Sequence, residues 1–256
     1  MDITVLGCNG AIGGRARTTS FLVDGDILID AGTGVGDLDL DAMAAIEHVF
    51  LTHSHFDHIA NLPLMLDAIG DRLENPVVIH ALPETILTLR EHLFNWKLWP
   101  DFTAVPTPDR PFAILEEMQP GEVVEIKGRK FRSIPVEHTV PAVGYLVSSD
   151  SGSLAFSGDT APTEEFWRVL NACDDLQYVV IETTFEDSEK ELAGISKHLC
   201  PQTIARELQK LESDAEVFIT HLMPGQEKTI MREIAEHHHG TMPKALTVGH
   251  VFSLQA

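Results

Sequence analysis

Several things are scarce in this chain, and each scarcity narrows what it can be. Cysteine occurs three times, at Cys8, Cys173 and Cys200, with no CxxC spacing. That rules out a paired-thiol motif and suits a reducing compartment, the thiols being buried or incidental. Basic residues are few, 18 Lys and Arg against 39 Asp and Glu, for a net charge of −21. A surface that grips a large polyanion needs clustered cations, so extended nucleic acid is not expected as a partner. A small phosphate ester stays open, because a bound metal cation resets the local field. No run of 18 apolar residues occurs, so nothing reads as a membrane span. The opening MDITVLG lacks a basic segment followed by an apolar one, and a cytoplasmic protein is expected. No linker or low-complexity stretch interrupts residues 1–256, so one domain is expected over that length. Its 44% hydrophobic content is enough for a sizeable core.

What is present is a series of short β-branched runs bounded by Gly or Asp. In the first half these are Asp2–Gly7, Thr19–Gly25, Asp26–Gly32 and His48–His53, with Asp24-Gly25-Asp26 as a hairpin turn. Helical patterns fall at Leu40–Glu47, Ile59–Ile69 and Pro83–Trp96, the last with Pro83 in its first turn. The second half predicts strands at Val123–Lys127, Lys130–Val136, Ala142–Ser148, Ser153–Ser157, Tyr178–Glu182, Glu216–His221 and Leu246–Ser253. Its helices are predicted at Thr163–Cys173, Pro201–Leu211 and Glu227–His237. Long sheets separated by helices predict two packed β-sheets covered by helices, an α/β fold with four αββα layers. The Pro-rich stretch Phe94–Phe112 is the most irregular part and reads as a lid or an interface.

The segment THSHFDH follows the apolar strand VFL, so His53, His55, Asp57 and His58 crowd one strand end and the start of the next helix. An isolated HxH is readily a polar loop. Neutral imidazoles mixed with a carboxylate are what neighbouring divalent cations require. Three more strand ends carry ligand-type side chains: His138 in IPVEHTVP, Asp159 in LAFSGDTAP and His221 in VFITHLMP. In layered sheet proteins sites are built from loops at such ends.

The order HxHxDH, His, Asp, His resembles the signature of the metallo-β-lactamase superfamily, and the resemblance runs over the whole chain. It implies that His53, His55 and His138 hold one metal, that Asp57, His58 and His221 hold a second, and that Asp159 bridges them. Asp30 in LIDAG resembles the family's strand-end aspartate, which orients a ligand imidazole; an ordinary turn Asp is the alternative. Two divalent ions are implied, Zn2+ first and Mn2+ or Fe2+ as alternatives. Further motifs resemble the ribonuclease Z-like branch and, within it, the class II cyclic nucleotide phosphodiesterases: RTTSFLVDGDILIDAG, THSHFDHIANLPLMLD, HTVPAVGYL, IETTF and ISKHLCP. The implied reaction is hydrolysis of 3′,5′-cyclic AMP or GMP to the 5′-nucleotide, with a metal-bridging hydroxide as nucleophile. Asp57, His198 and Glu182 are then the catalytic candidates. His198 would steady or protonate the leaving oxygen and Glu182 would fix its tautomer.

Substrate contacts are expected from two places. In LGCNGAIGG the glycines Gly10, Gly13 and Gly14 would bring backbone close to the metal cleft, although a plain tight turn is equally available and no GK[ST] follows. Trp96 and Trp99 are candidates for base stacking, worth about 1–3 kcal/mol, with a helix core or a dimer interface as the other reading. A homodimer is expected from the resemblance alone. The protruding basic arm by which the tRNA-processing branch grips its substrate is not visible. Other esters of the branch, such as aryl sulfates, and a non-enzymatic metal-bound ligand-binding role remain alternatives. His237–His239 read as a helix C-terminal cap, where positive charge is favourable. His48, His80 and His92 read as structural, and His250 as near the C-terminal strand.

Overall fold

The computed structural model describes residues 1–255. The first half forms β1 (Asp2–Gly7), β2 (Ser20–Val23), β3 (Ile27–Ile29), β4 (His48–Phe50) and β5 (Val77–Ala81). A small hairpin, β6 (Pro106–Thr107) and β7 (Arg110–Pro111), precedes β8 (Ala113–Glu117). The second half runs β9 (Val123–Ile126), β10 (Arg129–Val136), β11 (Ala142–Ser149), β12 (Gly152–Phe156), β13 (Leu176–Glu182), β14 (Glu216–Thr220) and β15 (Lys244–Ala245), and ends with β16 (Val251–Ser253). The helices are α1 (Leu40–Ala44), α2 (Phe56–Ile59), α3 (Leu62–Ile69), α4 (Pro83–Thr88), α5 (Glu164–Leu170), α6 (Lys190–Ser196), α7 (Pro201–Glu207) and α8 (Glu227–His237).

Two seven-stranded sheets result, in the orders β16-β1-β2-β3-β4-β5-β8 and β15-β14-β13-β12-β11-β10-β9. Alternation along each strand decides which layer a side chain joins. In β3, Ile27 and Ile29 face the space between the sheets, where they meet Phe131, Tyr145, Phe156 and Val180. Leu28 faces the other way and joins Leu62 and Leu66 of α3. The second sheet's outer face buries Leu146, Ala155 and Ile181 under Trp167 of α5, Ile204 of α7 and Ile230 of α8. The predicted four layers are therefore present. Behind the site the sheets are joined directly: the Tyr145 hydroxyl donates to the Leu51 carbonyl at 2.8 Å, and Phe50 stacks on Phe131.

The arrangement brings the candidate residues together because the relevant strands point the same way. β3 and β4 are parallel, as are β12, β13 and β14. β10 and β12 both run antiparallel to β11, so β10 also ends on that side.

Some elements depart from expectation. The helix predicted over Pro83–Trp96 stops at Thr88, continues as a wider turn to Leu93, and gives way to a loop with Trp96 at φ 63°. Of the strand predicted over Leu246–Ser253 only Val251–Ser253 forms, in the first sheet; residues 246–250 are a turn with Gly249 at φ 85°, and the short strand Lys244–Ala245 before them joins the second sheet. β8 and α6 were not anticipated. β8 is an edge strand with exposed Glu117, and α6 leaves Leu192 and Ile195 in solvent, so neither has a clean amphipathic pattern.

Candidate metal centre

Asp159 sits at the middle of the site. It follows β12 on a turn whose Gly158 (φ 59°) has no room for a side chain, since a Cβ would lie 2.9 Å from the Val143 carbonyl oxygen. One oxygen, Oδ2, faces four imidazole nitrogens: His58 Nε2 at 3.3 Å, His221 Nε2 at 3.4 Å, His53 Nε2 at 3.7 Å and His138 Nε2 at 4.0 Å. Asp57 Oδ2 adds a second carboxylate, 3.2 Å from His221 Nε2 and 3.5 Å from His58 Nε2. His55 Nδ1 lies 3.0 Å from His138 Nε2. These atoms form two groups, His53-His55-His138-Asp159 and Asp57-His58-Asp159-His221, each gathered within 4.8 Å and sharing Asp159.

The imidazoles are turned by partners at their outer nitrogens. Asp30, fully buried at the end of β3, accepts from His58 Nδ1 at 2.7 Å. It also accepts from the Thr52 backbone and hydroxyl, both at 2.8 Å. With its proton given to Asp30, the Thr52 hydroxyl is the acceptor for His53 Nδ1 at 3.0 Å. His138 Nδ1 donates to the Lys197 carbonyl at 3.2 Å. In the other half, fully buried Glu182 at the end of β13 accepts from His198 Nδ1 at 2.9 Å and from the Thr184 hydroxyl at 3.0 Å. Thr184 in turn accepts from His221 Nδ1 at 2.9 Å. Each arrangement points an imidazole Nε2 inward, the tautomers following from the hydrogen-bond network.

Burial and charge act in opposite directions here. Burial holds His53 well below the ordinary imidazole value and brings His138 down to about 4, so both offer lone pairs. Burial also opposes charge on His58, but Asp159 and Asp30 hold its imidazole well above the ordinary value. Asp159 stays well below the usual carboxylate range: burial opposes this, and His221 and His58 outweigh it. For His198, burial pulls down and Glu182 pulls up, leaving it at about 9.

These residues fit divalent cations. His53 Nε2 and His58 Nε2 are buried and make no hydrogen bond, and orphaned buried polar nitrogens are rare without a cause. A proton on His58 and a cation between the two groups answer the same local excess of carboxylate. The donor set, imidazole with carboxylate and no thiolate, suits Zn2+, Mn2+ or Fe2+.

The other predicted residues are less uniformly placed. A cavity of about 530 Å3 borders His55, Asp57, Asp159, His198 and His221. Trp96 and Trp99 do not line it. Trp99 packs on the core of the first half and Trp96 is exposed on the interrupted-helix loop. Of the glycines only Gly10 reaches the site, where a Cβ would lie 2.9 Å from His221 Nδ1. Gly13 lines a separate hollow with Asn9, Arg15 and Pro224, and Gly14 lies outside the cavity. The stretch Phe94–Phe112 buries Phe94 and Phe102 rather than covering the cavity. Cys8 is buried, its thiol pushed up to about 12, and Cys200 caps the N-terminus of α7, also buried. His237 at the end of α8 pairs with Asp187 at 2.6 Å. Thr52, Thr184 and Phe56 were missed by the sequence reading. A threonine beside a candidate ligand is ordinary strand composition and carries no signal of its own.

Comparison with known proteins agrees with this geometry. Residues 26–222 match the model of the β-lactamase superfamily domain. A protein of Yersinia pestis named a probable 3′,5′-cyclic-nucleotide phosphodiesterase is 25% identical, covering 92% of this chain and 83% of its own length. Ribonuclease Z of Halorubrum lacusprofundi is 30% identical over 59% of this chain and 48% of its own. Among solved structures, unliganded yeast PDE1 superposes with a TM-score of 0.81 at 20% identity, covering 98% of each chain. The metallo-β-lactamase fold protein YhfI of Bacillus subtilis reaches 0.78 at 18% identity, covering 98% of this chain and 99% of that one. The chain belongs to the metallo-β-lactamase superfamily, in its ribonuclease Z-like branch, and is a metal-dependent hydrolase.

Proposed function

We propose that this chain is a two-metal phosphodiesterase that hydrolyses 3′,5′-cyclic nucleotides to 5′-nucleotides. The observation that carries the reading is the Glu182–His198 pair beside two candidate metal groups that share Asp159. His53, His55, His138 and Asp159 would hold one cation, and Asp57, His58, Asp159 and His221 the other, Zn2+ being the first choice. Bound divalent ions would supply polarisation of the phosphoryl oxygens and a water of lowered pKa.

The remaining work falls to the chain. His198 Nδ1 is engaged by Glu182, so Nε2 is the nitrogen left to face the cavity that His198 lines. From there it donates a proton to the departing 3′-oxygen, the step for which a positioned imidazole is suited. Glu182, holding Nδ1–H, fixes that tautomer and stabilises the imidazolium before transfer. Asp57, partly exposed and kept ionised by His221 and His58 against the pull of burial, accepts a hydrogen bond from the attacking water. A small substrate agrees with the cavity volume, which lies within the ~300–1,000 Å3 usual for small-molecule sites. It agrees also with the net charge of −21, which disfavours a large polyanion.

The test is a panel run on metal-loaded protein: cyclic AMP, cyclic GMP, an aryl phosphodiester, an aryl sulfate and a precursor tRNA. Chelator-sensitive release of 5′-AMP or 5′-GMP supports the proposal. Cleavage of the tRNA or the sulfate with both cyclic nucleotides untouched would refute it.

A further inference from the structure

The cavity beside the candidate metal groups is lined by two chemically different sets of residues. One set is polar, with Asp57, Asp159, His198 and His221; the other is apolar, with Ile12, Phe56, Phe185 and Met223. Phe56 and Ile12 are 67% and 70% exposed, large apolar side chains left in water next to a buried polar cluster. Leaving such area wet forgoes the stabilisation that burial would bring, which a ligand lying over it would recover.

The backbone that carries both side chains is held in place. Phe56 lies between His55 and Asp57 in the first turn of α2. That turn is fixed by bonds from Ala31 N to the His58 carbonyl (2.7 Å) and from His58 N to the His55 carbonyl (3.1 Å). Ile12 is on the glycine-rich loop, anchored by Gly10 N to the Leu222 carbonyl (3.2 Å) and by Ala16 N to the Gly13 carbonyl (2.8 Å). A backbone already fixed need not be ordered when a ligand docks.

A polar pair adjoins them. Thr18 N donates to Thr33 Oγ1 at 2.9 Å and Thr33 N to Thr18 Oγ1 at 2.8 Å, with the two hydroxyls 3.3 Å apart, and both residues line the cavity. Two hydroxyls carry two protons. One serves the bond between them, and the other finds no acceptor among the described residues.

We infer that this arm of the cavity is a nucleoside subsite: Phe56 and Ile12 receive the flat base, and the Thr18–Thr33 pair donates its spare proton to a sugar oxygen. The inference rests on the phosphodiesterase reading for the place of the phosphate but assigns a separate set of residues. It moves the base contact from Trp96 and Trp99, which lie elsewhere, to the residue between two candidate ligands.

Binding to metal-loaded protein tests it without turnover, using adenosine 5′-monophosphate and ribose 5-phosphate in calorimetry. The wild type is expected to prefer the nucleotide by about tenfold or more, the scale of one base–aromatic stack. Phe56→Ala should remove most of that preference, Phe56→Tyr should keep it, and affinity for ribose 5-phosphate should stay level. Ile12→Ser, on a loop that supplies no candidate ligand, should lower the preference severalfold and carries the test if Phe56→Ala binds less metal. An unchanged preference in Ile12→Ser and in metal-replete Phe56→Ala overturns the subsite. If cyclic AMP is hydrolysed yet the preference is unaffected, only the subsite fails. If no cyclic nucleotide is hydrolysed but the preference drops as stated, the subsite stands and the reaction proposal fails.

Discussion

The two halves of the molecule build the same four-residue unit from unrelated stretches of chain. In the first sheet it is Asp30, Thr52, His53 and His58; in the second it is Glu182, Thr184, His221 and His198. Each has a fully buried carboxylate at a strand end, one imidazole bonded to it directly, and a second imidazole bonded through a threonine hydroxyl. They differ in where the directly bonded imidazole leads. His58 Nε2 is sealed in, 3.3 Å from Asp159. The His198 side chain keeps 12% of its surface and borders the cavity. On the proposed reading the same chemistry serves two ends: a nitrogen locked toward a candidate cation position, and one able to pass a proton to a substrate arriving from outside.

The comparison can be broken in graded ways. The largest effect should come from Asp159→Ala, which removes the oxygen that both units face. Metal content should fall from about two equivalents per chain to one or none, with hydrolysis lost, by elemental analysis and assay of the same preparation. Next is His198→Ala. Turnover of cyclic AMP should drop ~10²–10⁴-fold, the range for a positioned acid, with metal content unchanged. An aryl diester, whose leaving oxygen needs no proton, should lose far less. A joint loss of metal and turnover would overturn the division between the units.

Thr52→Val against Thr184→Val sharpens the comparison further. Losing Thr52 strips a fully buried Asp30 of a donor, which should cost about 1–3 kcal/mol. At roughly 2–4 °C per kcal/mol for a chain of this size, that is visible in the melting curve. Metal affinity should also weaken by ~10-fold, the low end for a group that orients a ligand. Losing Thr184 should disturb His221 in the same way while leaving the His198–Glu182 bond in place, so its effect on a proton-requiring substrate should stay smaller than that of His198→Ala.

The smallest effect concerns a buried histidine outside the candidate metal groups. His80 is buried against Phe50, 3.1 Å from His48 and 3.6 Å from Glu116. Burial, with help from His48, brings it down to about 4 from an ordinary 6.5. Between those values the unfolded chain takes up a proton that the folded chain does not, so stability falls as pH drops through that window. In metal-free protein, His80→Phe should flatten the melting temperature between pH 6.5 and pH 4.5 relative to wild type.

How much of this could be read beforehand differs for the same two regions. His53, His55, Asp57 and His58 lie within six residues of sequence, so their grouping is visible without a fold. His138, Asp159 and His221 were visible because each ends an apolar run, and parallel strands bring such ends together. The threonines were not, because nothing in THSH or ETTF distinguishes a relay hydroxyl from a strand threonine. The tryptophans misled for a physical reason. They are aromatic residues in the irregular stretch Phe94–Phe112, but the helix stops at Thr88, Trp99 packs on the core and Trp96 stays exposed, and neither lines the cavity. Phe56 was hidden inside the metal motif itself, where only the flanking residues draw the eye.

Side-by-side preparations of Asp30→Asn and Glu182→Gln test the central claim most directly, each titrated with metal while turnover of cyclic AMP is followed. A crossing is expected. Asp30→Asn should bind metal ~10–100-fold more weakly yet regain turnover in excess metal, whereas Glu182→Gln should bind metal nearly as the wild type does and regain nothing. If both variants lose the same property, or if excess metal rescues both alike, the two units do not divide the work and the account is wrong.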